Sequence, residues 1–246
     1  MRSTLLLPVD LLRFVARKVN ALPLSSKVLL GLFGCGTYYV KHHESMSALT
    51  VQSLHQQAIT DYVYFDLAAD NRYLGRILIG LYGRIQPLSC ENFVQMCKGY
   101  DVGGRTIGYR NSRVSHVIPG KGIVMGDLFH SGSPLESCTI YGRSMPEECF
   151  DTKFVQAGDV AMLSSNNDFG VSSRFLITLA NNPHLGRKFV VIGTVVKGMK
   201  LIKFLRDEET SKTVPKRDLR VIGCGLYRGP EDGPKSYLVK EAVASS

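Results

Sequence analysis

Six cysteines are the residues of this chain with the widest chemical repertoire, because thiolates bind metals, form disulfides and act as nucleophiles. Their spacing favours none of these roles: no two form a C-x-x-C pair or lie at zinc-ligand spacing with a histidine. Two of them fall within a predicted helix, where a small apolar residue would serve equally well. We therefore predict reduced thiols, no metal site and no cofactor. The cysteines are Cys35, Cys90, Cys97, Cys138, Cys149 and Cys224.

The basic balance of the chain raises the question of nucleic-acid binding. Thirty Lys and Arg against 21 Asp and Glu give a formal net charge of +9. The basic residues are scattered singly, however, without a dense run or an interleaved ladder of aromatic residues. We predict a solvated basic surface and no nucleic-acid partner. Hydrophobic residues make up 44% of the chain, which is typical of a globular protein.

The first 27 residues form a basic, amphipathic segment. Residues 1–43 contain six Lys or Arg and one acidic residue, Asp10. Leu11, Leu12, Val15 and Val19 recur at intervals of three and four, which places them on one face of a helix. This composition is typical of a mitochondrial targeting segment. An ordinary surface helix packed on a partner is the alternative.

A candidate transmembrane helix follows at residues 28–43. The apolar run Val28–Val40 rises only about 20 Å as a helix, against a hydrocarbon core of about 30 Å. Counted from Ala21, twenty residues contain one charge, Lys27, whose long side chain can reach the membrane surface. We predict contact with a lipid bilayer through residues 21–40. A signal-type hydrophobic region and a buried core helix remain alternatives.

A polar linker at residues 44–60 then leads into a globular domain at residues 61–227. Alternating apolar residues predict strands at Tyr62–Ala68 and Gly75–Tyr82, with a turn at Asp70 and Asn71. A helix is predicted to begin at Ser89 as its N-cap and to end at Gly99. The tail at 228–246 is polar and is predicted to be extended on a partner or disordered.

The rest of the domain consists of short strands and a second helix. Turn-rich sequence from Gly103 leads to a strongly β-branched strand at Phe189–Val196. A helix is predicted from Gly198 to Asp207, and a last strand at Leu219–Leu226. Many short strands with two helices indicate a mainly β fold, a closed β-barrel with helices outside it.

Several segments resemble the cyclophilins, a family of peptidyl-prolyl cis–trans isomerases. The opening hairpin of the family resembles VYFDLAADNRYLGRILIGLY, and its P-x-T-x-E-N-F helix start resembles PLSCENF. Its I-I-P-G-F-x-x-Q-G-G-D segment resembles VIPG followed by Gly126 and Asp127. HLGRKFVVIGTVVKGM keeps the spacing of W-L-D-G-K-H-V-V-F-G-x-V-x-x-G-M. The resemblance implies an eight-stranded barrel with two flanking helices.

The resemblance also implies a site in which an arginine donates hydrogen bonds to the prolyl nitrogen. The family motif F-H-R reads Val114-Ser115-His116, so His116 stands where the catalytic arginine is expected. Neutral imidazole offers one N–H, whereas guanidinium offers five in a fixed fork. We therefore assign no catalytic residue. A polar residue at the barrel edge is the simpler interpretation of His116.

Most of the substrate-pocket positions implied by the resemblance are also changed. Large apolar residues give way to Lys121 and Gly122, and the glutamine that positions substrate gives way to Val124. Leu185 matches the family residue, and Leu176 replaces a larger aromatic residue. The remaining pocket positions are occupied by Ser164, Ser165, Arg174, His184 and Phe189.

These substitutions predict a cyclophilin-like pseudoenzyme. The predicted role is that of a membrane-anchored accessory or structural subunit, with other protein subunits of a larger complex as partners. The basic N-terminus favours the mitochondrial inner membrane, with the endoplasmic reticulum or another membrane, reached by a signal anchor, as the alternative. An active, divergent peptidyl-prolyl isomerase that assists protein folding is the alternative function, since Arg174 could reach the place vacated by the family arginine. A proline-peptide binding module is a third class, which Lys121 and Gly122 argue against.

Overall fold

The computed structural model describes most of the predicted globular domain. Described are residues 55, 58–129, 138–148, 152–164, 170–182, 185 and 189–229, except for the side chain of Ser164. The segments predicted at 1–27 and 28–43, and nearly all of the tail at 228–246, lie outside this part of the chain.

Twelve strands and two helices make up the described part of the chain. Five of the strands have eight residues or more, and the others are shorter pieces that fit the turn-rich sequence between them. In chain order the elements are β1 (Asp61–Ala69), β2 (Arg72–Leu81), α1 (Pro87–Lys98), β3 (Tyr100–Val102), β4 (Arg105–Ile107), β5 (His116–Ile118), β6 (Gly122–Met125), β7 (Asp159–Ser164), β8 (Val171–Thr178), β9 (Phe189–Lys197), α2 (Met199–Arg206), β10 (Thr210–Ser211), β11 (Val214–Pro215) and β12 (Leu219–Leu226).

Eight of these strands form one strongly curled antiparallel sheet, in the order β12-β1-β2-β9-β7-β8-β6-β5. Its two edge strands, β5 and β12, form no ladder with each other. Instead, the irregular segment before β5 bonds to β12: the Asn111 amide donates to the Val221 carbonyl (2.7 Å), and the Val114 amide donates to the Leu219 carbonyl (3.0 Å). The structure thus shows a strongly curled half-barrel, where the sequence predicted a barrel closed all round.

The core lies on the concave face of this sheet and has an aromatic cluster at its centre. Ring centroids of the four members are 4.9–5.8 Å apart, and all four side chains are fully buried. These spacings are within the range of favourable aromatic pairs. One ring comes from α1 and two from the sheet, so the cluster ties the helix to the half-barrel. The members are Phe65, Phe93, Tyr109 and Phe175.

The hairpin and the second helix lie where the sequence predicted them. Asp70 and Asn71 have positive φ angles of 48° and 67°, as required by a tight two-residue hairpin turn. Gly198 is the N-cap of α2, and Asp207 is its C-cap.

The predicted start of the first helix is wrong. α1 begins at Pro87 with Gln86 as the N-cap residue, and Ser89 is the third residue of the helix. Proline fits the first helical position, because its missing N–H would have no intrahelical partner there. The end at Gly99, with φ of 88°, is as predicted.

A distant carboxylate caps α1 in place of a local side chain. Glu148 accepts hydrogen bonds from the Leu88 amide (2.8 Å) and the Ser89 amide (2.7 Å), and its charge lies at the positive end of the helix dipole. We expect Glu148→Gln to lower the free energy of unfolding by about 1 kcal/mol. Urea unfolding measures this loss. Glu91→Gln, which removes a charge from the exposed face of the same helix, should change stability by less than about 0.5 kcal/mol. Equal effects of the two variants would contradict the capping role.

Among the described residues, no helix combines the length and the apolar composition that a bilayer crossing needs. The candidate transmembrane segment at 28–43 lies outside these residues.

Candidate functional site

His116 and two of the predicted pocket residues lie in one row across three neighbouring strands. His116 on β5 pairs with Val124 on β6, and Val124 pairs with Leu176 on β8. Residues paired in this way point to the same face of a sheet. Their neighbours Ile123 and Ile177 belong to the core, so the row lies on the outer, convex face. The structure therefore brings these three predicted site residues together.

Leu176 fills the space that the missing side chain at residue 122 leaves. A Cβ atom on Gly122 would lie 2.5 Å from Leu176 Cδ1, which is too close for any larger residue without movement. Leu176 is 2% exposed and Val124 is 6% exposed. The apolar wall at this position is therefore built from Leu176 over Gly122, and little of it faces solvent.

Arg174 lies on the same outer face as Leu176, two residues earlier on β8. Its side chain is buried, with 5% of the residue exposed. Burial lowers the pKa of Arg174, and the negative charge of Asp127 opposes this shift. A guanidinium nevertheless stays protonated in proteins. Arg174 thus places a permanent cation at this face.

The imidazole of His116 is close enough to Arg174 to respond to its charge. Burial lowers the pKa of His116, the positive charge of Arg174 lowers it further, and the negative charge of Asp127 raises it. His116 is therefore neutral at pH 7 and offers a single N–H. Three ionisable groups, His116, Asp127 and Arg174, interact at the position where the family resemblance places a catalytic arginine.

A cavity of 590 Å³ opens beside this group. His116 and Asp127 line one side of it, and Pro215, Arg217 and Leu219 line the other. Cavities of this size accommodate small molecules or a few residues of a peptide. The cavity therefore borders His116.

Of the other predicted pocket residues, Leu185 and Phe189 lie on the same convex face. Lys121 is exposed in the turn between β5 and β6, so it forms no apolar wall. Leu185 and Phe189 are half-buried against an outer apolar cluster that includes Ala161 and Val191, the next residues along the row from Leu176. Ser164 ends β7, whereas Ser165 and His184 lie outside the described residues.

Asn182 is a structural residue of the site that the sequence did not reveal. Its side-chain amide donates to the carbonyls of Gly120 and Lys121, both at 3.3 Å, and so holds the turn between β5 and β6. These are contacts between residues about sixty positions apart, and no local pattern predicts them.

Because its pKa is lowered, His116 is expected to make the stability of the folded protein depend on pH. The unfolded chain takes up a proton near pH 6.5, whereas the folded chain takes it up only at a lower pH. Stability is therefore lost as pH falls below about 6.5, until the folded pKa is passed. We expect His116→Gln to lose less thermal stability than the unmodified protein between pH 7.5 and pH 5. Melting curves that shift in parallel over this range would contradict the assignment.

Within the described part of the chain, no group of three His, Cys, Asp or Glu side chains is arranged to hold a metal ion.

Comparison with known proteins identifies the family. The family model of the cyclophilin-type peptidyl-prolyl cis-trans isomerases matches residues 64–226. The chain is 36% identical over 151 residues to peptidyl-prolyl cis-trans isomerase CYP21-1 of Arabidopsis thaliana, covering 60% of this chain and 66% of that protein. It is 33% identical over 187 residues to peptidyl-prolyl cis-trans isomerase D of Saccharomyces cerevisiae, covering 75% and 81%.

A further relative, peptidyl-prolyl cis-trans isomerase D of Eremothecium gossypii, is 32% identical over 182 residues. That match covers 72% of this chain and about half of the relative, 47%. Together with the curled sheet and the two helices, these matches show that the chain belongs to the cyclophilin-type peptidyl-prolyl isomerase family.

Proposed function

We propose that the chain is a divergent peptidyl-prolyl cis–trans isomerase in which Arg174 supplies the guanidinium of the site. The position of Arg174 carries this proposal: the residue lies on the same face as the His116 row, and its charge acts on His116. The family to which the chain belongs supports the same reaction class.

The reaction needs a donor near the prolyl nitrogen. Rotation about an X-Pro bond is slow because the nitrogen lone pair is shared with the carbonyl, which gives a barrier of about 18–20 kcal/mol. A hydrogen bond to that nitrogen localises the lone pair and lowers the double-bond character. Because this bond strengthens as the peptide twists, it stabilises the transition state more than the bound substrate. Arg174 provides fixed donors for this role.

The remaining residues of the face would hold the peptide. Leu185 is half-buried and Val124 and Leu176 expose only 6% and 2%, so these residues offer the proline ring little apolar surface. Neutral His116 can donate one hydrogen bond to a peptide carbonyl. Without large apolar side chains at residues 121 and 122, the contact area is small. We therefore expect weaker substrate binding than in a cyclophilin with a deep pocket.

A protease-coupled assay on a tetrapeptide with one Ala-Pro bond tests the proposal. We expect the full chain to accelerate cis-to-trans conversion above the uncatalysed rate. Arg72→Gln, which removes an exposed arginine from the β1–β2 hairpin, is the control and should keep the activity. A rate that stays at background at any protein concentration would overturn the proposal.

A non-catalytic role is the second candidate. It is favoured by the burial of Val124 and Leu176, which leaves little open apolar surface for a proline ring. In this case the domain serves as an accessory subunit of a membrane complex, anchored through residues 21–40 in the mitochondrial inner membrane. Blue-native electrophoresis after mild detergent extraction tests this role: comigration with a large complex supports it, and migration at the mass of the free chain opposes it.

A further inference from the structure

A second cavity, of 460 Å³, lies in a different part of the domain from His116. His55 and Ile59, which precede the part of the chain matched by the family model, form one wall of it. The other walls come from the ends of β1, β2 and β9 and from the loop before β7, through Tyr62, Tyr82, Thr194 and Gln156. His55 is 7% exposed, so the segment predicted as a linker contributes a buried residue to the domain.

A buried carboxylate lies directly behind the wall of this cavity. Asp159, at the start of β7, is fully buried. Its Oδ2 accepts hydrogen bonds from the backbone amides of Val155 (2.7 Å) and Gln156 (3.0 Å), and Asp159 is the strand partner of Thr194. Burial raises the pKa of Asp159, and hydrogen bonds from the Gln156 and Val155 amides and the Thr194 side chain oppose this shift because they favour the carboxylate.

The titratable side chains near Asp159 in the cavity wall favour their neutral forms. Burial lowers the pKa of His55, which favours the neutral imidazole, although the charge of Asp159 pulls in the other direction. Burial raises the pKa of Tyr82, and the charge of Asp159 raises it further, so the phenol is also neutral. The described lining of the cavity contains no lysine or arginine. A negative charge behind such a wall favours a cation over an anion in the cavity.

Aromatic faces add to the attraction for a cation. The rings of His55 and Tyr82 are in contact, with centroids 4.8 Å apart and planes tilted by 40°, and Tyr62 is 41% exposed at the rim. The electron-rich face of a tyrosine attracts ammonium and guanidinium groups. A volume of 460 Å³ lies within the range of small-molecule sites.

We propose that this cavity binds a small organic cation, an ammonium or guanidinium group on an apolar stem, with Asp159 as its counter-charge. The stem lies against Ile59 and Val195, and the cationic end lies against the wall formed by Tyr82, Thr194 and Gln156. The site is separate from the His116 face and does not depend on isomerase activity.

Isothermal titration of the full chain at pH 7.5 tests this site with three probes of one shape. These are phenethylamine, its neutral counterpart 2-phenylethanol and its anionic counterpart 3-phenylpropionate. We expect the amine to bind at least tenfold more tightly than the alcohol, and the carboxylate to bind least. Nα-acetyl-lysine methylamide is added to distinguish a peptide-borne cation from a free amine; binding of either cation supports the proposal.

Variants locate the site. Asp159→Asn should reduce the affinity for the amine at least tenfold, to that of the alcohol, whereas Asp207→Asn, an exposed acidic residue after α2, should have no effect. Tyr62→Leu alters only the rim and should weaken amine binding several-fold with little change for the alcohol, which tests the site even if Asp159→Asn does not fold. Equal affinity for amine and alcohol, no binding at millimolar concentration, or unchanged amine affinity in both site variants would overturn the proposal.

Discussion

Replacement of Arg174 by glutamine is expected to lower kcat/KM for an Ala-Pro peptide about 100-fold or more. Loss of one preorganised transition-state donor costs about 2.7–4 kcal/mol in enzymes that depend on such donors, which corresponds to factors of about 10²–10³. Glutamine keeps one amide donor but loses the charge and the fork geometry. The loss should fall mainly on kcat, because the donor acts on the twisted bond more than on the planar one.

The control for this variant is His116→Gln, which alters the neighbouring group. If Arg174 supplies the essential donor, His116→Gln should lower kcat/KM less than tenfold. Arg174→Lys, which keeps the charge without the fork, should restore only part of the activity. An Arg174→Gln variant with unchanged kcat/KM and an unchanged unfolding midpoint would show that the guanidinium has no part in the reaction.

Truncation of Phe93 to alanine is expected to lower the free energy of unfolding by about 3–5 kcal/mol. Phe93 is fully buried on α1, and its ring lies 4.9–5.8 Å from those of Phe65, Tyr109 and Phe175. The variant loses the transfer free energy of the ring and leaves a cavity that rigid strands cannot fill. Urea unfolding followed by far-ultraviolet circular dichroism measures the loss.

Phe93→Leu separates the loss of volume from the loss of aromatic contacts. It retains most of the apolar volume and should cost less than about 1.5 kcal/mol. Leu88→Ala, which shortens a side chain on the same helix that is 46% exposed, should cost less still. A Phe93→Ala variant as stable as Phe93→Leu would mean that α1 does not depend on the aromatic cluster for its attachment.

Local periodicity was sufficient to predict four of the five long strands and the two helices, but not β8. The alternation of Val63, Phe65 and Leu67 encodes a strand with one buried face, and all three side chains are buried in the structure. Gly198 marks the start of α2 because it adopts a positive φ of 92° there. In these cases the residue type or its spacing to near neighbours is enough to predict the local structure.

Features that depend on distant contacts were not predictable in this way. Ser89 has the chemistry of an N-cap, but Glu148 supplies the cap from 59 positions away and the helix begins earlier. His55 lies in a polar stretch without periodicity, and only the fold reveals that it is buried against Tyr82. Arg174 lies in a turn-rich stretch for which no individual strand was predicted, and its proximity to His116 depends on the pairing of β5, β6 and β8.

Exchange spectroscopy on an isotopically labelled Ala-Pro peptide tests the central claim most directly. The measurement follows cis–trans exchange at equilibrium with catalytic amounts of the full chain, so it needs no tight binding. The assignment of Arg174 as the donor predicts exchange cross-peaks within about a second, where the uncatalysed reaction takes tens of seconds, and predicts their disappearance with Arg174→Gln. Absence of cross-peaks with the unmodified protein, or their persistence in the variant, would contradict it.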